Sequence, residues 1–342
     1  MMLLRGKHGS LLRRRGLSFC PDEGFIPTHF DSQELLQRYI PDKVLGAGSF
    51  GNVYRATRIN RGGNNTSAPQ QVAIKAMLKS KCPFAMHEIE LLQLLSLPGR
   101  GPSSKHVLQL VEWFETDSSF YLVTEYLKGK ELFELLVDHE VPFSEQDTLM
   151  FVEQMLLGVE ACHQMNFAHI DVKIENMVFR EASPNSDLVL VDFGAAQRFV
   201  QAPYATKSET YQEGLDDETL TPARPAGTIP YNAPEVLNGH FSSRSDVWSV
   251  GVSMFVLLTG RRPFNSSRAT PLEAEKSIMR QIKYHGEVMG NRELPLPETI
   301  ASEPTRAFLH KLTSVSPRDR MSATEAITAI RQLPAFPKPP NL

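Results

Sequence analysis

The feature that most constrains this chain is the stretch of residues 169–194, where four groups of complementary chemistry lie close together in sequence. Asp171 can accept a proton from a hydroxyl, and Asn176 and Asp192 offer the hard oxygen atoms that Mg²⁺ prefers. Lys173 lies between them and can sit against a phosphoryl group. A base, two metal ligands and a cation are the parts that phosphoryl transfer requires. The stretch therefore predicts a site for that chemistry.

A glycine-rich turn lies near the start of the chain, where residues 44–54 have the sequence Val-Leu-Gly-Ala-Gly-Ser-Phe-Gly-Asn-Val-Tyr. Glycines let the backbone approach phosphates closely and present N–H groups to them. A Gly-x-Gly-x-x-Gly turn also fits a dinucleotide-binding fold, but a helix follows the glycines there. Here a β-rich run follows, so the turn predicts a strand hairpin over a nucleotide.

An apolar strand at residues 72–75 ends in Lys75, and a helical apolar rhythm follows further along. Glu88 is predicted to be the carboxylate that pairs with this lysine, and Glu90 is the alternative. Pro83 lies where that helix should begin, so we expect a short helix. Taken alone, a lysine at a strand end is usually solvated, and its position after a glycine turn is what favours a phosphate contact.

Three further motifs follow in order. Residues 227–235 have the sequence Gly-Thr-Ile-Pro-Tyr-Asn-Ala-Pro-Glu, residues 245–251 have Ser-Asp-Val-Trp-Ser-Val-Gly, and residues 317–320 have Pro-Arg-Asp-Arg. The apolar run 247–258 is too short to span a bilayer and predicts a buried helix. A long acidic segment precedes residue 227, and loops of that length are usually functional or disordered.

The ordered set of motifs resembles the eukaryotic Ser/Thr protein kinases, in particular the calcium/calmodulin-dependent kinase group, over roughly residues 39–335. The resemblance implies an α+β, bilobal fold. Residues 39–124 would form a small lobe of antiparallel β-sheet plus one helix, residues 125–127 a hinge, and residues 128–335 a larger, mainly helical lobe. Residues 1–38 would be a basic, flexible extension, and residues 336–342 a Pro-rich tail.

The same resemblance implies a role for each motif residue. Asp171 and Lys173 would be catalytic, and Asn176 and Asp192 would hold Mg²⁺, with Mn²⁺ as an alternative. The residues predicted to bind ATP are Leu45, Gly46, Gly48, Ser49, Gly51, Val53, Ala73, Lys75, Glu88, Thr124, Glu125, Leu127, Glu131 and Val178. Thr124 would take the gatekeeper position, and the hinge backbone would hydrogen-bond adenine.

Supporting contacts are implied as well. Thr228 would contact both catalytic residues, as in Ser/Thr kinases. Asp246 would anchor the backbone of the catalytic loop, and Arg320 would pair with Glu235. The predicted reaction is transfer of the γ-phosphoryl group of ATP to Ser or Thr hydroxyls of protein substrates.

Two acidic residues bear on substrate choice. Glu131 and Glu175 match positions that, in calmodulin-dependent and cyclic-nucleotide-dependent kinases, receive an arginine three residues before the phosphoacceptor. Because a guanidinium–carboxylate pair is strong and directional, the match predicts a preference for basic residues N-terminal to the acceptor. The alternative is that both are ordinary surface acids.

The basic run near the N-terminus contains a serine that such a preference would select. Arg14 and Arg15 precede Ser18 by four and three residues, so Ser18 is a candidate autophosphorylation or pseudosubstrate site. The simpler interpretation is a solvated basic run.

One position departs from the family pattern. Most protein kinases have an arginine between the His and Asp of the catalytic loop, and this chain has Ile170. That arginine normally pairs with a phosphate on the activation segment, which an isoleucine cannot do. The sequence therefore predicts a kinase that needs no activation-segment phosphate at that pocket, for example on Thr219 or Thr221. The long acidic segment would then control the activation segment in place of a phosphate.

Composition narrows the binding partners and cellular compartments that this protein can have. A net charge of −3 does not favour a nucleic-acid partner, and three widely spaced cysteines indicate a reducing compartment without a disulfide framework or zinc site. We expect a monomer without a transmembrane segment, in the cytoplasm, with the nucleus as an alternative. The basic N-terminus resembles a transit peptide in charge, but Gly and Pro interrupt any helix, so organellar import is the less favoured interpretation.

Two other functional classes remain to be compared. A pseudokinase scaffold would bind nucleotide and partners without catalysis, but Lys75, Asp171, Asn176 and Asp192 are all present. A metabolic kinase acting on a small molecule is disfavoured by residues 227–235, since that segment docks peptide in protein kinases. Measuring ATP turnover against Asp192→Asn separates an enzyme from a scaffold.

Overall fold

The computed structural model describes residues 30–48, 51–59, 70–99, 101–199, 227–268, 270–287, 294 and 296–337. The basic N-terminal run with Ser18, the turn residue Ser49, most of the loop between residues 60 and 70, and the acidic segment with Thr219 and Thr221 lie outside these ranges, as do residues 338–342 of the predicted tail. Within the described residues the chain forms two lobes, one built on a β-sheet and one mainly of helices.

The strands are β1 (Tyr39–Gly48), β2 (Gly51–Arg58), β3 (Gln71–Leu78), β4 (Leu110–Glu115), β5 (Ser119–Glu125), β6 (Phe167–Ala168), β7 (Met177–Phe179), β8 (Leu188–Leu190) and β9 (Gln197–Arg198). The helices are α1 (Gln33–Arg38), α2 (Ala85–Leu95), α3 (Leu132–Asp138), α4 (Glu145–Gln164), α5 (Ser243–Thr259), α6 (Pro271–Glu287), α7 (Glu303–Leu312) and α8 (Ala323–Ile330). Short 3₁₀ turns at Pro102–His106, Ile174–Asn176, Phe193–Ala195, Ile229–Tyr231 and Val236–Asn238 connect them.

The small lobe is a five-stranded antiparallel sheet in the order β1-β2-β3-β5-β4, with α2 after β3. Side chains alternate between its faces, because successive residues of a strand point in opposite directions. Tyr54 on β2 and Ile74 on β3 are buried on the outer face, whereas Val53, Ala73 and Lys75 point to the other face, toward the large lobe. The predicted α+β, bilobal architecture is confirmed.

The N-terminal boundary of the small lobe differs from the prediction. Ser32 accepts a hydrogen bond from the Leu35 backbone N–H at 3.2 Å and begins α1, and Leu35 is fully buried. Phe30 stacks on Tyr121 with ring centroids 5.4 Å apart, and the Tyr121 hydroxyl donates to Asp31 at 2.6 Å. The prediction that the whole of residues 1–38 is a flexible extension is therefore wrong for residues 30–38, which pack on the sheet because they carry their own apolar anchors.

The large lobe is organised around α4 and α5. Ser144 caps α4 by accepting a hydrogen bond from the Asp147 backbone N–H at 3.1 Å. Every residue from Ser245 to Leu258 in α5 is buried, so the apolar run is the predicted core helix. Among the residues that the structure describes, no helix is both long enough and apolar enough to cross a membrane.

Candidate active site

The glycine turn joins β1 to β2, with Gly48 paired to Gly51 across the hairpin. Gly51 has a φ of +137°, and a Cβ there would lie 2.0 Å from the Ala76 carbonyl oxygen of β3. Only glycine fits such a backbone and such a close approach. A Cβ added at Gly46 would have no heavy atom within 4 Å. Gly46 is therefore less constrained by its neighbours than Gly51.

The face of the sheet toward the large lobe carries the predicted adenine contacts. Ala73 pairs with Thr124 across β3 and β5, and Val53 pairs with Lys75 across β2 and β3. Val178 on β7 bridges to Glu131 from the large lobe. Four residues predicted to contact the nucleotide, Val53, Ala73, Leu127 and Val178, are only half-buried, and Leu45 is more exposed. These side chains leave an apolar surface that can be covered by a flat ring.

The hinge is held by polar contacts to its neighbours. The Glu125 backbone N–H donates to the Gln109 carbonyl oxygen at 3.0 Å, and its carboxylate accepts from the Gln109 N–H at 3.1 Å and pairs with Arg180 of the large lobe. The Thr124 hydroxyl donates to the Glu125 carbonyl oxygen at 3.2 Å. Arg180 was missed by sequence reasoning, because nothing local marks a residue 55 positions away as a hinge partner.

Lys75 lies between two carboxylates from different parts of the chain. Its Nζ is 2.7 Å from Glu88 Oε1 on α2 and 3.0 Å from Asp192 Oδ1. The predicted partner Glu88 is thus the one observed, and Glu90 pairs instead with Arg198 of β9. Helix α2 begins at Ala85, just after Pro83, as expected for a short helix.

Burial and charge act in opposite directions on these three groups. Burial lowers the pKa of Lys75, but the two carboxylates outweigh it and leave that pKa above the ordinary value. Burial also raises the pKa of Asp192, and the Lys75 ammonium outweighs it, so that the Asp192 pKa lies below 3.8. Asp192 is 42% exposed at its side chain, which leaves an ionised carboxylate that a cation can reach.

The catalytic loop brings Asp171, Lys173, Asn176 and Thr228 into contact. Lys173 Nζ is 2.6 Å from Asp171 Oδ2 and donates to the Thr228 hydroxyl at 2.8 Å. That hydroxyl donates to Asp171 Oδ1 at 2.6 Å. The Asn176 amide N–H donates to the Asp171 carbonyl oxygen at 2.8 Å, which leaves the amide oxygen available to a metal ion. Sequence predicted the contacts of Thr228 with both catalytic residues.

The loop backbone is held by Asp246 from α5. One carboxylate oxygen accepts from the His169 N–H and from His163 Nε2, at 2.8 and 2.9 Å, and the other accepts from the Ile170 N–H at 2.8 Å. Ile170 has a φ of +66°, which is unfavourable for a β-branched residue. Sequence predicted that Asp246 anchors this backbone, but it gave no sign of His163 or of the strained φ.

Below the loop, Glu235 and Arg320 form the predicted ion pair. Arg320 Nη1 is 2.7 Å from Glu235 Oε1, and the Arg320 side chain is fully buried. Its guanidinium lies over the Trp248 ring, 5.2 Å from the centroid. Arg320 Nε also donates to the Ser314 carbonyl oxygen at 2.9 Å. The segment after Thr228 is therefore tied to the core by a buried charge pair.

The two acids predicted to bind a substrate arginine lie in different surroundings. Glu131 is the N-terminal cap of α3, where its side chain accepts a hydrogen bond from the backbone of Glu134. Glu175 is bound to Tyr231 and Arg262 of the large lobe. Sequence reasoning missed both of these contacts.

The residues of the site suit ATP and a divalent cation. Asn176 and Asp192 supply an amide and a carboxylate oxygen, the donors that Mg²⁺ prefers, and Lys75 supplies a fixed positive charge. Among the described residues no group of three or more His, Cys, Asp or Glu side chains could hold a metal by itself. Two protein oxygens are the usual contribution where substrate phosphates complete the metal shell.

The model of the protein kinase domain family matches residues 39–329 of this chain. The chain belongs to the protein kinase family. It is 30% identical over 303 residues to a calcium/calmodulin-dependent protein kinase of Emericella nidulans, covering 87% of this chain and 63% of that one. A calcium/calmodulin-dependent protein kinase of Metarhizium anisopliae is 31% identical, over 72% of this chain and 57% of its own length.

A third relative, calcium-dependent protein kinase 5 of Plasmodium falciparum, is 32% identical over 69% of this chain and 36% of its own length. The chain therefore spans less than two thirds of the length of each of these relatives. The similarity agrees with the resemblance to the calcium/calmodulin-dependent kinase group found in the sequence.

Proposed function

We propose that this protein transfers the γ-phosphoryl group of Mg-ATP to serine and threonine hydroxyls of protein substrates. The observation that carries the proposal is the position of the Thr228 hydroxyl, which donates to Asp171 and accepts from Lys173. A substrate hydroxyl needs a carboxylate to take its proton, and the phosphoryl group needs a cation to offset its charge. The protein kinase family of the chain and the names of its relatives support the same activity.

Each part of the site then has one task. Lys75 binds the α- and β-phosphates, and Glu88 holds its ammonium in place. Asn176 and Asp192 would hold Mg²⁺, or Mn²⁺ in its place, and the metal supplies neutralisation of the phosphate charge. Asp171 orients the acceptor hydroxyl and takes its proton, while Lys173 offsets charge on the transferring group.

The test is transfer of radiolabelled γ-phosphate from ATP to Ser- and Thr-containing peptides. Asp171→Asn should lower kcat by about 10² to 10⁴, the range for loss of a general base. Asp138→Asn is the matched control, because within the described part of the chain Asp138 pairs only with the exposed Lys130, and it should leave kcat unchanged. Equal and negligible turnover by the wild type and by Asp192→Asn would contradict the proposal and favour a pseudokinase scaffold.

The proposal extends to a preference for basic residues N-terminal to the acceptor. Its support is that Glu175 lies in the 3₁₀ turn Ile174–Asn176 and that Glu131 bridges to Val178 just after that turn. Peptides with an arginine three residues before the acceptor should be phosphorylated faster than their alanine versions. Equal rates for the two would leave Glu131 and Glu175 as ordinary surface acids.

We also propose that activity needs no phosphate on the activation segment. Ile170 is buried and cannot bind one. Arg198 of β9 pairs with Glu90 of α2 and lies 4.9 Å from the Phe167 ring centroid, so the start of the segment is joined to α2 by an ordinary ion pair. Alanine at Thr219 and Thr221 should change kcat less than about twofold, the size of a surface change of a few tenths of a kcal/mol. A large activation by phosphorylation that these substitutions abolish would contradict the proposal.

We propose further that the protein is cytoplasmic, on the support of its three widely spaced cysteines alone, and that it is a monomer. A fluorescent fusion distinguishes the cytoplasm from the nucleus and from organelles, and light scattering gives the mass in solution. Mass spectrometry after incubation with ATP tests whether Ser18 is an autophosphorylation site.

A further inference from the structure

Helix α2 carries two carboxylates that point to opposite sides of the helix. Glu88 and Glu90 are two residues apart, which places their side chains about 200° apart around the helix axis. Glu88 is 3% exposed and pairs with Lys75 of β3. The Glu90 side chain is 47% exposed and pairs with Arg198 of β9. The helix is therefore held by an ion pair to the small lobe on one side and by an ion pair to the large lobe on the other.

The orientation of α2 depends on such tertiary contacts, because little within the helix fixes it. An isolated helix of 11 residues is marginal in water, and the residue at its N-terminal cap is Phe84, whose side chain has no group that accepts a hydrogen bond. Ile89, Leu92 and Leu95 are buried on its inner face. Apolar contacts are non-directional, so they resist rotation of the helix about its axis less than directional ion pairs on two sides do.

Arg198 is itself fixed by the strands that lead into the catalytic loop. It is opposite Phe167 in the pairing of β6 with β9, and its guanidinium lies 4.9 Å from the centroid of that buried ring. The next residue, Phe199, is 2% exposed, and its backbone N–H donates to the Asn166 carbonyl oxygen at 2.8 Å. Because β6 ends where the catalytic loop begins, the position of Arg198 is set by the position of the loop.

A rotation of α2 would act on the phosphate site through Glu88. Lys75 Nζ is 2.7 Å from Glu88 Oε1 and 3.0 Å from Asp192 Oδ1. If the helix turned, Glu88 would move away from Lys75, and the ammonium would be drawn toward Asp192, the carboxylate proposed to bind the metal. A displacement of about 1 Å at a reacting centre can lower the rate about 100-fold. A modest change in the orientation of α2 therefore changes activity.

We propose that the Arg198–Glu90 ion pair is a positioning contact that sets the rotation of α2 from the catalytic loop and so holds Glu88 against Lys75. This proposal rests on the proposed kinase activity and deepens it. Ile170 brings no charge to the activation segment. Arg198 brings one from β9, and its partner is a carboxylate of the protein in place of a phosphate. The link between α2 and the catalytic loop then exists without any modification of the chain.

The experiment reverses the two charges singly and together, and measures kcat and KM on a serine-containing peptide. Arg198→Glu and Glu90→Arg each replace attraction by repulsion and should lower kcat about five- to tenfold, with the KM for the peptide unchanged. The double variant Arg198→Glu, Glu90→Arg restores an ion pair of opposite sense and should recover most of the wild-type kcat. Glu34→Arg is the matched control, because Glu34 forms a comparably exposed pair with Arg38 on α1, and it should leave kcat unchanged.

A second series separates positioning of Glu88 from a general loss of stability. In a Glu88→Gln background the ion pair has no carboxylate to hold against Lys75, so Glu90→Arg should lower the single-turnover rate by less than about twofold. A five- to tenfold drop in that background would overturn the proposal, as would a charge-swapped variant no more active than either single reversal. Thermal melting verifies that each variant is folded.

Failure of the proposed kinase activity is separable, because it would appear as no transfer to any peptide by the wild type. In that case the Kd of Mg-ATP, measured by calorimetry, gives the same comparison, since Lys75 is proposed to bind the phosphates. Each single reversal should then weaken binding, and the charge-swapped variant should restore it. Equal Kd values for the wild type and the single reversals would contradict the positioning role, and so would a wild type that binds no ATP.

Discussion

Removing the Asp246 carboxylate should release the catalytic loop from α5. Asp246 is fully buried and accepts from the backbone N–H groups of His169 and Ile170. A hydrogen bond to a charged acceptor contributes about 1.5 to 3 kcal/mol. Loss of the two backbone bonds in Asp246→Ala therefore costs about 3 to 6 kcal/mol, before any relaxation of the loop.

Relaxation of Ile170 should offset part of that cost. Its φ of +66° is of the kind that costs about 1 to 3 kcal/mol for a residue other than glycine, and the hydrogen bond to Asp246 holds it there. Without Asp246 the backbone can leave this conformation, and that strain is recovered. In an Ile170→Gly background there is no such strain to recover, so Asp246→Ala should cost about 1 to 3 kcal/mol more there.

The assay is urea denaturation of the wild type, both single variants and the double variant, followed by tryptophan fluorescence. Trp248 is a suitable probe, because it is fully buried two residues after Asp246 in α5. Peptide phosphorylation by the folded fraction should fall about 100-fold or more in Asp246→Ala, since a small displacement of the catalytic base can have that effect. An Asp246→Ala cost that is the same in both backgrounds would refute the reasoning that Asp246 holds Ile170 under strain.

Three further predictions follow from the site and its support. The pKa of Asp192 lies below 3.8 because Lys75 outweighs burial, so the pair stabilises the fold above about pH 4 and this contribution is lost as pH falls through the folded-state pKa. Lys75→Met removes the largest influence that opposes burial and leaves only the smaller effects of His169 and Lys173, so this stabilisation should shrink, which urea denaturation at pH 5 and pH 3 measures. Gly51→Ala should raise the KM for ATP and lower the melting temperature, because its Cβ would lie 2.0 Å from a carbonyl oxygen, whereas Gly46→Ala should do neither. Arg320→Met leaves a buried carboxylate unpaired and should lower the free energy of unfolding by about 3 to 5 kcal/mol, as measured by urea denaturation.

Sequence was sufficient to predict the contacts at the centre of the site. The pairing of Lys75 with Glu88, the contacts of Thr228 and the anchoring by Asp246 were all expected, and the structure shows each of them. These contacts are predictable because their residues stand in motifs of fixed spacing, and the fold brings those motifs together in a fixed way. The residue types alone predict the kind of chemistry that is proposed for the site.

Contacts from outside those motifs were not predictable. Arg262 is 87 positions from Glu175 and lies in a loop without a recognisable pattern. Arg180 reaches the hinge from 55 positions away. The boundary at residue 38 was also misplaced, because the aromatic packing of Phe30 on Tyr121 joins residues that are distant in sequence.

By itself the sequence carried the ordered motifs whose resemblance to the protein kinases predicted the fold and the groups proposed for phosphoryl transfer, since the residue types and spacing within a motif are local properties of the chain. Only the tertiary structure decided which of those groups are available. Glu175 and Glu131 are the same residue type, yet one is neutralised by Arg262 and the other caps a helix. Charge and hydrogen bonding act through space over a few ångströms, and only folding establishes which residues come that close.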